Sequence, residues 1–230
     1  MELKPVAFIR TEFPEKFGIP RQSGLAGSLC GKIVFEKEYR NPDALKGLEG
    51  FSHLWLIWGF SANRKTDGGG AWQPTVRPPR LGGNRPMGVF ATRSPYRPNP
   101  LGLSCVEIEA VLPVSDEGPV IIVRGADLMD GTPIYDIKPY IRYSDSRPDA
   151  SCGYVDALKE RRLDVSIPEN EARNAGGHEK LKALEEVLSL DPRPSYHDDP
   201  SRVYGMSYGC LNVKFTVSGD SLEVREIRKK

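Results

Sequence analysis

Through residue 145 the apolar positions fall in short blocks of strand length. "PVAFIRTEF", "LCGKIVFE", "GVFATRS", "GLSCVEIEAVLPV", "PVIIVRGADL" and "TPIYDIKPYI" read as strands. "FSHLWLIWGF" is nearly continuous in apolar character, as expected of a strand buried on both faces. Glu117-Gly118 and Asp130-Gly131 are turn signals between blocks. "NPDALKGLEG" reads as a short helix, with Asn41 as cap and Pro42 in its first turn. Seven short strands, turn-rich joints and little helix predict a mainly β fold, a closed or nearly closed β-barrel.

After "SDSRPDASCGY" the pattern changes. "HEKLKALEEVLSL" places Leu181, Leu184, Val187 and Leu188 on one helical face. "DPRPSYHDDPSRVYGMS" reads as a loop. In "CLNVKFTVSGDSLEVREI", Leu211, Val213, Phe215 and Val217 alternate with polar residues, Gly219-Asp220 turn, and Leu222 and Val224 alternate again, which is a hairpin. The predicted organisation is a β-barrel domain over 1–150, a connection over 151–164, and a small α+β C-terminal domain over 165–230. No internal repeat is visible.

Composition adds constraints. The chain has 230 residues, 39% hydrophobic and 27% charged, so it reads as globular rather than disordered. A net charge of +1 gives no overall pull toward nucleic acid, so any such pull must be local. Cys30, Cys105, Cys152 and Cys210 are widely spaced, with no His at ligand spacing. Neither a disulfide framework nor a metal site is expected, and single thiols fit a reducing cytoplasm. "MELKPVAFIR" has no apolar run of signal-peptide length, and no stretch is long enough to span a bilayer, so no membrane role is expected.

Several chemistries are excluded. There is no GxGxxG after a strand, no GxxxxGK[ST], no GxSxG and no HExxH. "DGGGA" reads as a flexible loop. His53, His178 and His197 are scattered, and His53 reads as a hydrogen-bonded core histidine. What stands out is the absence of any acid or lysine from Gly68 to Cys105, a segment holding Arg77, Arg80, Arg85, Arg93 and Arg97. With Trp72 and Tyr96 nearby, such arginines suit phosphate forks and base stacking. A solvated loop whose arginines pair with acids elsewhere is an equal reading. The prolines of "PTVRPPR" and "SPYRPNP" stiffen the segment, as a preformed site requires. A polyproline ligand is a weaker reading, because a strand follows at once. In "DLMDGTPIYDIKPY", Asp127, Asp130 and Asp136 flank a turn. They can accept from a ligand's amine or hydroxyls, although Asp130 alone reads better as a turn cap.

Together "IPRQSGL", "LKGLEGFSHLWLIW", "TVRPPRLGGNRPMGVFATRSPYRPNPLGLS", "DLMDGTPIYDIKPY" and "DPRPSY" resemble the TsaA/TrmO family of methyltransferases over nearly the whole chain. The resemblance implies S-adenosylmethionine bound on a β-barrel rather than a Rossmann fold. It also implies a homodimer and methylation of the exocyclic nitrogen (N6) of threonylcarbamoyladenosine beside the tRNA anticodon. It assigns Pro20, Arg21, Gln22, Arg93, Leu103, Asp127, Leu128, Met129 and Asp130 to the cofactor. Ser61 and Ala62 belong to the same set, but Ser61 stands where the family often has His, so only backbone contacts carry over there. Arg77, Arg80, Arg85 and Arg97 are expected to meet RNA, Arg97 equally as a structural residue. Asp136 and Tyr143 are candidates for taking a proton. The competing expectation is a non-catalytic cofactor- or RNA-binding module of the same fold.

Overall fold

Among the described residues, eight strands form in the first part of the chain: β1 (Ala7–Arg10), β2 (Cys30–Phe35), β3 (His53–Gly59), β4 (Thr75–Val76), β5 (Met87–Gly88), β6 (Leu101–Val114), β7 (Gly118–Arg124) and β8 (Pro133–Pro139). The computed structural model describes residues 2–62, 72–81, 85–158, 161–194 and 199–230. The glycine-rich stretch within 63–71, residues 195–198 with His197 and the end of "DPRPSY", and the Arg80 side chain lie outside the described residues.

Six of these strands close into a ring in the order β1-β2-β7-β6-β3-β8 and back to β1, with every pairing antiparallel. The interior is filled by alternate residues, among them Ile9, Ile33, Leu54, Leu56, Val106 and Ile121. β6 is long enough to pair with two neighbours, and a register shift between Ile108 and Ala110 re-aims it round the ring. The expected short helix forms as two 3-10 turns, with the Asn41 side chain accepting from Asp43 N–H and Pro42 at the first position.

Three expectations are corrected. "GVFATRS" does not make a ring strand. Only Met87–Gly88 pairs, with β4, and Val89–Ala91 is a 3-10 turn that buries Val89 and leaves Phe90 71% exposed. β3 is not buried on both faces: Leu54, Leu56 and Trp58 point inward, while His53, Trp55 and Ile57 are half-exposed. Aromatic neighbours on the outer face explain its apolar character, since the Tyr140 ring centroid lies 6.0 Å from that of Trp55. His53 shares that outer face, with Nδ1 2.9 Å from Ser52 Oγ, so it is not a core histidine.

Beyond residue 139 come α1 (Arg142–Asp145), β9 (Asp164–Ser166), α2 (Glu169–Ala172), α3 (His178–Ser189), β10 (Tyr204–Tyr208), β11 (Leu211–Ser218) and β12 (Ser221–Lys229). β10-β11-β12-β9 form a second sheet, antiparallel except where β9 joins β12. The predicted alternation holds: Leu211, Val213, Phe215, Val217, Leu222 and Val224 are buried, and Gly219 turns the hairpin at φ +58°. Ala183, Leu184, Val187 and Leu188 of α3 cover the sheet. This second core also takes in Phe13, Ala26 and Leu29 from the segment between β1 and β2. Among the described residues no helix is long and apolar enough to cross a membrane.

Candidate active site

The rim of the ring where β3 ends and β6 begins is shaped by two close approaches. Gly59 pairs with Leu101, and Phe60 N–H donates to Pro100 C=O at 3.0 Å, so residues 60–62 and 98–101 share one edge. Gly102 lies under the Trp58 indole, whose nearest atom would be 2.3 Å from an added Cβ. Only glycine allows this approach, and the approach delivers the indole N–H to the strand's next inward residue. Trp58 Nε1–H donates to Ser104 Oγ at 2.9 Å, and Ser104 Oγ–H donates to Asp127 Oδ1 at 2.6 Å.

Asp127 follows β7 and belongs to the row. Burial pushes its carboxyl above the usual carboxylate range. The Ser104 hydroxyl, its own backbone N–H, the Arg93 charge and the Ser23 N–H offset that push. Arg93 in turn donates through Nη1 to Gln22 Oε1. Gln22, Arg93, Asp127, Ser104 and Trp58 therefore form one polar row from five places in the chain, hydrogen-bonded except between Arg93 and Asp127, which are linked by charge alone.

The turn after Asp127 is held by β1 and its extension. Thr11 Oγ1–H donates to Leu128 C=O at 3.0 Å, Thr11 N–H donates to Asp130 Oδ1 at 3.1 Å, and Asp130 N–H donates to Phe13 C=O at 2.8 Å. Thr132 Oγ1–H donates to Met129 C=O at 2.7 Å, and Leu128 is buried. Asp130 thus caps the neighbouring chain rather than its own turn, and Arg10 Nη1 stands 3.7 Å from its other oxygen.

The remaining candidates are placed as follows. Pro20 is buried and Arg21 exposed, two residues and one residue before Gln22. Leu103 is 54% exposed on the outer face of β6, opposite Ile57. Ser61 is exposed and Ala62 half-buried at the shared rim. Asp136 lies outside the polar row, on β8. Its Oδ1 accepts from Ile137 N–H at 2.9 Å, and Lys138 Nζ is 3.0 Å from its Oδ2. It too is opposite Ile57, so it lies about 10 Å from Leu103, two strand spacings across one outer surface. Tyr143 is 88% exposed on α1 and touches none of the row.

The arginine segment is a small ribbon. β4 and β5 pair Thr75 with Gly88 and Val76 with Met87, so Arg77 and Arg85 leave from one end, both exposed. At the other end the Trp72 and Phe90 rings, both exposed, lie 5.9 Å apart between centroids. Arg97 is turned inward on its own loop, donating through Nη1 to Thr92 C=O at 3.0 Å and Ser94 C=O at 3.4 Å. It shapes the loop that presents Arg93.

Ser104, Trp58 and Phe90 join the site through the fold and carry no motif of their own in the sequence. For Ser104 a signal existed: it is a polar residue at an inward position of a strand. Chemically, an exposed guanidinium beside a half-buried carboxylate suits a small ligand carrying a carboxylate and an amine.

Comparison with known proteins follows the same lines. Residues 8–146 match the family described as tRNA-methyltransferase O N-terminal domain, and residues 160–230 match the TrmO C-terminal domain. The tRNA (adenine(37)-N6)-methyltransferase of Escherichia coli K12 is 40% identical over 231 residues, covering 97% of this chain and 96% of that one. A Pseudomonas aeruginosa protein, RcsF, whose name places it provisionally among S-adenosylmethionine-dependent methyltransferases, is 39% identical over 218 residues, 92% of this chain and 90% of that one. A crystal structure of TrmO from Pseudomonas aeruginosa superposes with a TM-score of 0.80 at 32% identity, covering 100% of this chain and 97% of that one.

Proposed function

The chain belongs to the tRNA-methyltransferase O family, and we propose that it transfers a methyl group from S-adenosylmethionine to N6 of adenosine 37 in tRNA, with threonylcarbamoyl-modified adenosine as substrate. The observation that carries this reading is the Gln22–Arg93–Asp127–Ser104 row at the rim of the ring.

The residues present fit the cofactor. Arg93 supplies a guanidinium for its carboxylate, Asp127 and Asp130 supply acceptors for its amine and hydroxyls, and Leu103 supplies an apolar contact. Pro20, Arg21 and Gln22 form the opposite lip. Leu128 and Met129 contribute through the shape of their turn, and Ser61 and Ala62 through backbone. When bound, S-adenosylmethionine would supply a sulfonium-activated methyl group with a neutral thioether as leaving group.

The protein's own work is then positioning and removal of a proton. The N6 lone pair is delocalised into the purine and the adjacent carbonyl, so nucleophilicity rises as its proton leaves. Asp136 is the better placed acceptor, since it shares an outer surface with Leu103; Tyr143 is the second candidate. Arg77, Arg80 and Arg85 meet phosphates, while Trp72 and Phe90 offer faces to unstacked loop bases. The ring, read as a barrel, and the division at 1–150, 151–164 and 165–230 are part of the proposal. So is a homodimer, supported by the exposure of Leu103, Leu112 and Ile141.

Mass spectrometry of tRNA nucleosides from cells with and without the gene tests the reading. The N6-methylated threonylcarbamoyladenosine is expected to vanish in the deletion strain and return on complementation. Its persistence in the deletion strain would overturn the assignment.

A further inference from the structure

The segment from Glu12 to Leu29 carries Pro20, Arg21 and Gln22, yet much of its support comes from the C-terminal part of the chain. At one shoulder Gly209 N–H donates to Glu12 C=O at 2.6 Å, and Lys180 Nζ pairs with Glu12 Oε2 at 2.9 Å. Phe13 meets the Tyr208 ring edge-on at 5.8 Å between centroids. At the other shoulder Glu186 accepts twice from one residue, from Ser28 N–H at 2.8 Å and from Ser28 Oγ–H at 2.6 Å. Arg162 donates to Leu25 C=O at 2.9 Å. In between, Gly18 sits at φ +93° against Met206, whose Sδ would be 2.2 Å from an added Cβ.

The ring holds the same segment from its other side, through Gly24 N–H to Gly125 C=O and Gly125 N–H to Leu29 C=O, both 2.8 Å. Between the shoulders Ile19 packs against the same C-terminal core and Pro20 is buried, while a small open cleft beside Ile19–Arg21 is lined also by Val187, Leu190 and Pro192. The segment is therefore braced by the C-terminal part, with its polar clamps at the two shoulders.

We propose that the C-terminal sheet and α3 act as an internal positioning element for the cofactor-side lip, and that Glu186 is its chief positioning residue. This rests on the reading that Gln22 and its neighbours touch the cofactor. Without the Glu186 clamp the lip samples more conformations, and binding must then order it. Affinity for S-adenosylmethionine falls, while the rate at saturation and affinity for RNA hold.

The test measures KM and kcat for S-adenosylmethionine and Kd for tRNA in the full chain with Glu186→Ala, Glu186→Gln and Ser28→Ala, beside Gln22→Ala. Glu186→Ala is expected to raise KM for S-adenosylmethionine by roughly five- to twentyfold, with kcat within about twofold. Glu186→Gln and Ser28→Ala each keep part of the clamp and fall in between. Hydrogen exchange over residues 14–29 is expected to speed up in the same order.

A purely stabilising role would lower the unfolding temperature and leave KM unmoved, and that result would overturn the inference. So would a weaker Kd for tRNA with unchanged cofactor KM. If Gln22→Ala raises KM and the Glu186 variants do not, the inference fails and the site reading stands. If neither raises it, both fail.

Discussion

Ser104→Ala removes the one hydroxyl that accepts from Trp58 Nε1–H and donates to Asp127 Oδ1, at a position 1% exposed. The change leaves an indole donor and a carboxylate oxygen each short of a partner, and the methyl that remains fills little of the space. A buried group left unsatisfied costs about 1–3 kcal/mol, and a bond to a charged acceptor sits at the upper end of that range. Two such losses, partly relieved by relaxation, come to roughly 2–4 kcal/mol. For a chain of this size that is a fall in Tm of roughly 4–16 °C.

The penalty also carries a pH signature. Burial raises the folded pKa of Asp127 above its unfolded value, so this group favours the native state in acid. That preference is lost as pH rises from the unfolded value through the folded one. Losing the Ser104 donor raises the folded value further. The variant's deficit should therefore be smaller in acid and grow as pH rises, reaching a plateau above the folded pKa. Urea unfolding of both proteins across the acid-to-neutral range is the assay. A deficit below about 0.5 kcal/mol, typical of surface changes, or one that does not vary with pH, would refute the row as a coupled unit.

Asp127→Asn should leave Tm at neutral pH unchanged or raised and flatten the acid dependence, because it removes a partly buried charge while keeping an acceptor for Ser104; differential scanning calorimetry at several pH values reads this, and cofactor binding should fall in the same variant. Arg93→Ala should weaken S-adenosylmethionine binding tenfold or more by calorimetry, with Tm nearly constant, since the residue is exposed. Phe90→Ala and Trp72→Ala should each weaken tRNA binding by about 1–3 kcal/mol, the range for one stacked base, in a filter-binding titration. Arg77→Ala should weaken binding to all tRNAs alike and reduce the salt slope by roughly 0.7–0.9, the release expected for one lost phosphate contact.

The fold was legible where patterning is local. The alternation in β11 and β12, the apolar face of α3 and the turn glycines 118, 131 and 219 are all visible in the sequence, because each is decided by neighbours a few residues away. "GVFATRS" misled because Val89 alone is buried there; strand-like composition does not supply a partner strand. The outward half of β3 misled for the converse reason, since Trp55 and Ile57 are covered partly by Tyr140 and the adjoining strands rather than by a second layer. At the site, the arginines and the "DLMD" turn could be singled out from the sequence. The Trp58–Ser104–Asp127 relay could not, because it joins residues 46 and 23 positions apart and depends on a glycine contact. The support that α3 gives to Ser28 joins residues 158 positions apart, and no short-range pattern carries it.

The most direct measurement is methyl transfer from radiolabelled S-adenosylmethionine by the purified chain to a tRNA bearing threonylcarbamoyladenosine at position 37 and to the same tRNA lacking that group. Label is expected in the modified tRNA, located at N6 of residue 37 after nuclease digestion, and little in its unmodified twin. Equal labelling of both would contradict the substrate assignment. Cofactor binding without labelling of either would contradict the enzymatic one and leave a binding module of the same fold.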